Sequence, residues 1–442
     1  MNQLTSLSMP ESEAARATAE RRSQHLVTAF VVTGLLFMLL PGTFLGVWNL
    51  LSISEKHQPS SIPQAWIQAH GQAQIFGWIG SFILGIGFYS LTKMRSTRDF
   101  PTLAAWMVWA LWTVGVAARW LGGVTGDAWR VTLPLSGLLQ LTAFVLFFFS
   151  VPKHKPNSAE EKKSEVWMRL VFASTLVFLV ALVANCALLF RQGVVENSPA
   201  LPHVTDQQFV VLAVWGILVP TIWGFNARWL PIFLGLRPPS KRLLYAAYDF
   251  SLIGIGATLL SWLPVAAVAF LIASLLAIEA LRVWEQSINS PKLVNVDRRF
   301  PFFVRFAYVW LLASSLLGVA AVAWDTSGGI WGASRHAITV GYVAAMVFAI
   351  GQRVLPAFCG MRVLWSTKLM FGSLALLFLG CFLRVLAEPL AYEQIWAPAW
   401  KLLPVSAIIE LSAVTLFALN MAVTLLQPPA HLRAQPAARG RS

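Results

Sequence analysis

Long apolar runs alternate with short polar stretches along nearly the whole chain. About twelve of the runs reach the ~20 residues that an α-helix needs to cross a bilayer. They cover roughly 26–50, 66–91, 102–121, 131–151, 166–190, 207–231, 243–260, 263–284, 302–324, 335–356, 369–388 and 400–426. Runs this uniformly apolar predict helices surrounded by lipid, since a soluble helix shows only an apolar stripe. The pattern predicts an all-α fold, a polytopic membrane bundle of about twelve transmembrane helices spanning 26–426. The flanking segments 1–25 and 427–442 are polar and are expected to be disordered cytoplasmic tails. Residues 1–25 carry Arg16, Arg21 and Arg22 and lead into an apolar run too long for the core of a signal peptide.

Of 442 residues, 57% are hydrophobic and 12% charged, and the net charge is +14. In a soluble protein such an excess suggests nucleic acid; here the placement of the charges excludes that partner. With the N-terminus in the cytoplasm and alternating loops, most of the 33 Lys and Arg fall in cytoplasmic loops or tails. The opposite face receives Lys56, Arg119, Arg130, Arg191, Arg335 and Lys401. This positive-inside bias places both termini in the cytoplasm, with the lipid bilayer as the chain's surroundings; the expected location is a bacterial inner membrane.

The chemistry-bearing residues are few. Cys186, Cys359 and Cys381 form no Cys-x-x-Cys, which argues against covalent haem attachment and thiolate zinc sites; they are expected to pack as free thiols. Two of the seven histidines, His70 and His336, each open an apolar segment, and the alternating path puts both near the non-cytoplasmic face. For this pair two readings stand side by side: hydrogen bonding between helices, or ligation of a haem or metal. Arg119, Arg335 and Arg384 fall near the same depth and suit haem propionates. Their structural alternatives are snorkelling for the first two and a local pair with Glu388 for the third. Glu410, an acid within an apolar run, is a candidate proton relay or ligand-orienting group. Asp249 is expected to pair with Arg228 or Arg353. A frame R-x-L-P-x-F-x-G-x-R occurs twice, at Arg228–Arg237 and Arg353–Arg362, where the Pro should end a helix and the Gly allow a turn. The first copy has Val211 in the place of His336. No H-E-x-x-H, Walker loop or buried Ser-His-Asp set is present, so a hydrolase or ATP-driven pump has no support.

Two stretches resemble the NnrS family, polytopic membrane proteins that carry haem and are linked to nitric oxide metabolism. His70-Gly-Gln-Ala-Gln-Ile-Phe76-Gly77-Trp78 is similar to that family's H-x-H-E-x-x-F-G-F. His336-Ala-Ile-Thr339-Val340-Gly341, followed by Met346 and Arg353, is similar to its H-A-L-T-V-G…M…R, and Arg384 falls where the family tends to have an Arg. The resemblance implies a b-type haem with His70 and His336 as axial ligands, and nitric oxide or another small gas as a partner. Gln72, Ala73 and Phe358 depart from it: they replace two histidines and a glutamate, and this leaves too few imidazoles for an evident copper site. A more distant similarity is to the catalytic subunits of haem-copper oxidases and nitric oxide reductases, which also ligate low-spin haem from the second and tenth helices. Those need further histidines on helices six and seven, and 207–231 and 243–260 contain none.

The reading from sequence is therefore a haem-binding membrane protein of NnrS type, acting in nitric oxide handling, the nitrosative-stress response or membrane electron transfer. The alternative is a cofactor-free secondary transporter built on the duplicated unit, with Glu410 and Arg384 in its site.

Overall fold

The computed structural model describes residues 11–94, 102–150 and 166–427. Among them the chain forms twelve long helices and no strand. They are α1 (11–56), α2 (64–94), α3 (Thr102–Thr125), α4 (Trp129–Ser150), α5 (Val166–Val195) and α6 (His203–Phe233). Then follow α7 (Lys241–Leu259), α8 (Leu263–Leu281), α9 (Phe300–Trp324), α10 (Gly329–Phe358), α11 (Thr367–Tyr392) and α12 (Ala399–Leu426). Among the described residues, ten of them are long and apolar enough to cross a membrane, α2 and α7 not being counted. The other two carry more polar residues: α2 opens with Gln64, Gln68, His70, Gln72 and Gln74, and α7 carries Lys241, Arg242 and Asp249.

Two boundaries differ from the sequence expectation. Helix α1 starts at Glu11, so residues 11–25, expected as disordered tail, are helical, and Ser23 and Leu26 are fully buried. Helix α6 starts at His203, four residues before the apolar run that announces it. The expected C-terminal tail lies outside the described residues except for Gln427.

Neighbours in sequence pack as antiparallel hairpins, most extensively α3 with α4, α7 with α8 and α11 with α12. One large apolar core runs through the bundle, with Trp112, Trp223, Tyr308 and Tyr342 among its fully buried side chains. A smaller cluster joins Leu50 and Ile53 of α1 to Ala387, Ala391, Trp400 and Leu403 at the other end from the repeated motif. The outside is apolar too: Leu40, Leu103, Phe149 and Phe172 are each more than half exposed. Water would penalise that surface, whereas hydrocarbon accepts it.

Four stretches are π-helical: Met38–Phe44 in α1, Ala73–Gly80 in α2, Val214–Leu218 in α6 and Ala337–Ala344 in α10. A π turn accommodates an extra residue and is concentrated at functional sites. Pro41, which has no N–H to donate, sits in the first. The stretches in α6 and α10 precede the two R-x-L-P copies at corresponding places, so the duplication extends to backbone geometry. Each copy ends as its residues predict. Pro231 and Pro356 lie in the last turns of α6 and α10, and Gly235 and Gly360 take left-handed φ of +69° and +114° just beyond.

The motif arginines lie on aromatic rings. Arg228 lies 4.5 Å over Trp167, and Arg353 3.9 Å over Phe233. Among the described residues no ion pair joins either to Asp249, which is exposed; the expected pairing is replaced by these cation–π contacts. All three cysteines are free and buried.

Candidate functional site

At the end of the bundle opposite the R-x-L-P turns, α2 brings in His70 two turns after its start at Gln64. The ring lies flat against α1, where Gly46 leaves the space: a Cβ there would stand 2.6 Å from Cε1 of His70. Its Nδ1 is 2.8 Å from the carbonyl oxygen of Gly42, in the π-helical stretch of α1. Gln74, one turn further along α2, donates to Thr43 Oγ1 at 3.0 Å in the same stretch. A carbonyl only accepts, so Nδ1 of His70 carries the hydrogen and Nε2 keeps a free lone pair.

His336 is placed the same way on α10. The helix is preceded by Gly328, whose φ of +85° suits glycine. The turn before it is tied down from both sides. Asp325 accepts the backbone N–H groups of Ser327 and Trp331, and Glu393 accepts those of Thr326 and Ser327 together with their hydroxyls. Burial works against ionisation of Glu393, but the hydrogen bonds from Ser327 and Thr326 outweigh it and hold its pKa down to about 2. Two turns on, Nδ1 of His336 lies 3.0 Å from the carbonyl of Gly332. Here too Nε2 is left free.

The carboxylate of Glu388, on α11, stands 3.1 Å from the same Nδ1 and 3.2 Å from Nε of Arg384, one turn earlier. Neither N–H aims at the oxygen, since Glu388 Oε2 and Arg384 Nε both lack a hydrogen-bond partner. The carboxylate thus sits between the His336 ring and the Arg384 guanidinium. Gly332 is required at this point, because a Cβ on it would run into the Glu388 carboxylate. Tyr392 lies beside Arg384, and Cys381 lies against the backbone of His336.

Charges at this end act on one another. His70 lies within electrostatic reach of His336 and Arg384. Glu410, on α12, is in reach of His336, Arg384 and Glu388 and packs against Gly380 of α11; its Oε1 is buried without a partner. Arg119 is buried in α3 with its Nε unpartnered. Asp206, near the start of α6, lies between Arg119 and Arg335, and Arg335 also donates to Gln207.

The structure thus gathers His70, His336, Arg384 and Glu410 around one place. Arg119 and Arg335 form a neighbouring group around Asp206. Two participants were not singled out from sequence. Glu388 was seen only as a partner for Arg384, although it reaches His336 as well. Asp206 was hidden because it precedes the apolar run of α6. Glu388 stands 3.1 Å from His336 Nδ1, beside the Glu410 that was expected to relay protons or orient the ligand. His57 stacks on Trp400 and His203 is exposed. Phe358 stacks on Tyr89 at 4.4 Å. Among the described residues no group of three or more His, Cys, Asp or Glu is arranged around a bare metal ion.

Against known proteins, a family model described as NnrS protein matches residues 27–428. Nothing among curated proteins matches the chain.

Proposed function

The chain belongs to the NnrS family, and from that premise we propose a multi-pass protein of the bacterial inner membrane that holds a b-type haem between His70 and His336. It acts in nitric oxide handling or in membrane electron transfer. The observation that carries this reading is the shared state of the two imidazoles. In each, Nδ1 is committed to a main-chain carbonyl, Gly42 for one and Gly332 for the other, and Nε2 is free. A free Nε2 on a ring fixed through Nδ1 is the donor an axial ligand supplies.

The surrounding residues fit the group. Both rings keep accessible surface among buried neighbours such as Ala69, Ala337 and Cys381, so each borders open space. Arg384 and Arg119 hold buried N–H groups with no partner, which suits the two carboxylates of a haem. Glu388 beside Nδ1 orients His336 and strengthens it as a donor. When bound, the haem supplies one-electron chemistry and an iron to which small gases bind. His70 and His336 would both be engaged in holding the group, with Nε2 as the donor of each ring. This favours electron transfer or sensing over fast turnover. With Gln72 and Phe358 in place of histidines, too few imidazoles are present to support a copper centre beside the haem.

Optical spectra of the purified protein test the reading. Reduced protein from haem-replete cells is expected to show the sharp α and β bands of a low-spin b-type haem. His70→Ala and His336→Ala should each abolish them. A folded, colourless protein that retains its biological activity would refute the proposal and leave the cofactor-free transporter.

A further inference from the structure

A second feature lies between the histidines and the R-x-L-P turns. A cavity of about 90 Å³ is lined by Ile79 and Phe82 of α2, Leu218 and Phe225 of α6, and Met346 and Ile350 of α10. These are the three helices that carry a π-helical stretch in addition to α1. In each, the stretch ends at the level where the cavity begins: Gly80, Leu218 and Ala344. Beyond that level the three helices meet again at their far ends, where Tyr89 of α2 stacks on Phe358 of α10 and Arg353 of α10 lies over Phe233 of α6. The cavity is the space left between those contacts and the π turns.

Its wall is apolar. The polar side chains that reach it, Thr221 and Asn226, are engaged elsewhere, with Ser174 at 2.9 Å and Tyr308 at 2.8 Å. Water needs two to four partners to occupy a buried space, and an apolar cavity without them stays dry and takes up apolar guests such as xenon. The volume exceeds the ~10–15 Å³ that a water-sized occupant needs. It is far below the hundreds of Å³ of a drug-sized ligand pocket. On one side the wall is half-buried: Ile83 and Ile86 of α2 face Ile222 and Trp229 of α6. The mouth therefore opens between α2 and α6 towards hydrocarbon, not towards either aqueous face. His70 lies nine residues from Ile79, and His336 ten from Met346. At ~1.5 Å per residue both rings stand roughly 14–15 Å further along the same two helices.

We infer that this cavity is a docking site for a small apolar gas molecule, diatomic or monatomic, which enters sideways from the bilayer. Its size excludes quinones and other ring-bearing molecules with long tails, and its wall offers nothing to an ion. The inference does not rest on the haem, since the guest is recognised by volume and dryness alone.

Xenon is the probe. Crystals of the full chain, pressurised with xenon, should show an anomalous peak between Phe82, Phe225 and Met346. Gly351 lines the cavity, and a Cβ on it would meet only Leu355 Cδ1 at 3.4 Å and Val347 Cγ1 at 4.0 Å. Gly351→Leu is thus expected to fill the space and remove the peak. Gly351→Ala should fold as the wild type does and lower xenon occupancy severalfold. Ile222→Trp, which closes the mouth from a different helix, should also abolish uptake. No peak in the wild type overturns the inference. So does ordered water or a lipid tail in the cavity, or a peak that persists in the filled variants.

Discussion

Arg384→Leu removes one member of a buried ionic group. The Nε–Oε2 separation from Glu388 is 3.2 Å, and the two side chains are 9% and 5% exposed. At an effective dielectric constant of ~20 that separation corresponds to about 5 kcal/mol of attraction. Breaking a buried pair from one side typically costs ~3–5 kcal/mol, because the remaining charge is stranded. Here Glu388 keeps His336 at 3.1 Å. The N–H of Arg384 is also not aimed at the oxygen, so little hydrogen-bond energy is lost with it. The lower end, about 3 kcal/mol, is therefore expected. The assay is equilibrium unfolding in mixed micelles, followed by circular dichroism, on Arg384→Leu, Glu388→Leu and the double variant. The double variant should recover most of the loss, giving a coupling of about 2–3 kcal/mol. If Arg384→Leu lies within ~0.5 kcal/mol of the wild type, as a neutral surface change would, the group is not held together by charge and the reasoning fails. On haem-loaded protein the same variant should also release pigment faster.

Gly46→Leu, which leaves both histidines in the chain, should displace the His70 ring and lose the low-spin spectrum; an unchanged spectrum would mean that His70 is not held against α1. Reporter fusions after Pro156 and after Ser290 should register as cytoplasmic and one at Asn197 as external, and a cytoplasmic signal at Asn197 would break the alternating path. Glu393 is depressed to about 2, below the ~4.3 of a free glutamate. Its support of the 325–328 turn is therefore complete above about pH 4.5 and is lost only as pH falls through about 2. Protease cleavage in that turn should thus be flat between pH 7 and 5 in the wild type and raised throughout in Glu393→Gln, and a wild-type rise near pH 5 would contradict the assignment.

The helices were legible because lipid demands long apolar runs, and the ends of α6 and α10 because Pro and Gly have fixed meanings there. The histidines stood out since few polar residues open an apolar segment. What surrounds them was less visible. Glu388 looked fully explained by Arg384, four residues away on the same helix; only the approach of α10 to α11 reveals its second contact. Asp206 sat in polar sequence ahead of an apolar run, and helix α6 absorbed it. The start of α1 was missed because residues 11–25 are polar enough to pass for a tail, yet Ser23 is buried. The π-helical stretches leave no mark in composition at all. They add a residue to a turn without changing what the residues are.

A π turn also acts as a dislocation in its helix. One extra residue turns everything beyond it by about 100° relative to an uninterrupted α-helix. In α10 the Ala337–Ala344 stretch separates His336 from Arg353, so the facing of the histidine and the facing of the arginine are set independently. Deleting a single residue from that stretch would let the wide turn relax to an ordinary α turn and leave His336, Met346, Arg353 and Pro356 facing as they do. Single-residue deletions are thus expected to be forgiven in these stretches and not in the regular α-helical parts, where one lost residue swings everything beyond it by about 100°. Any comparison that slides one helix past another to close a gap there will pair the wrong faces.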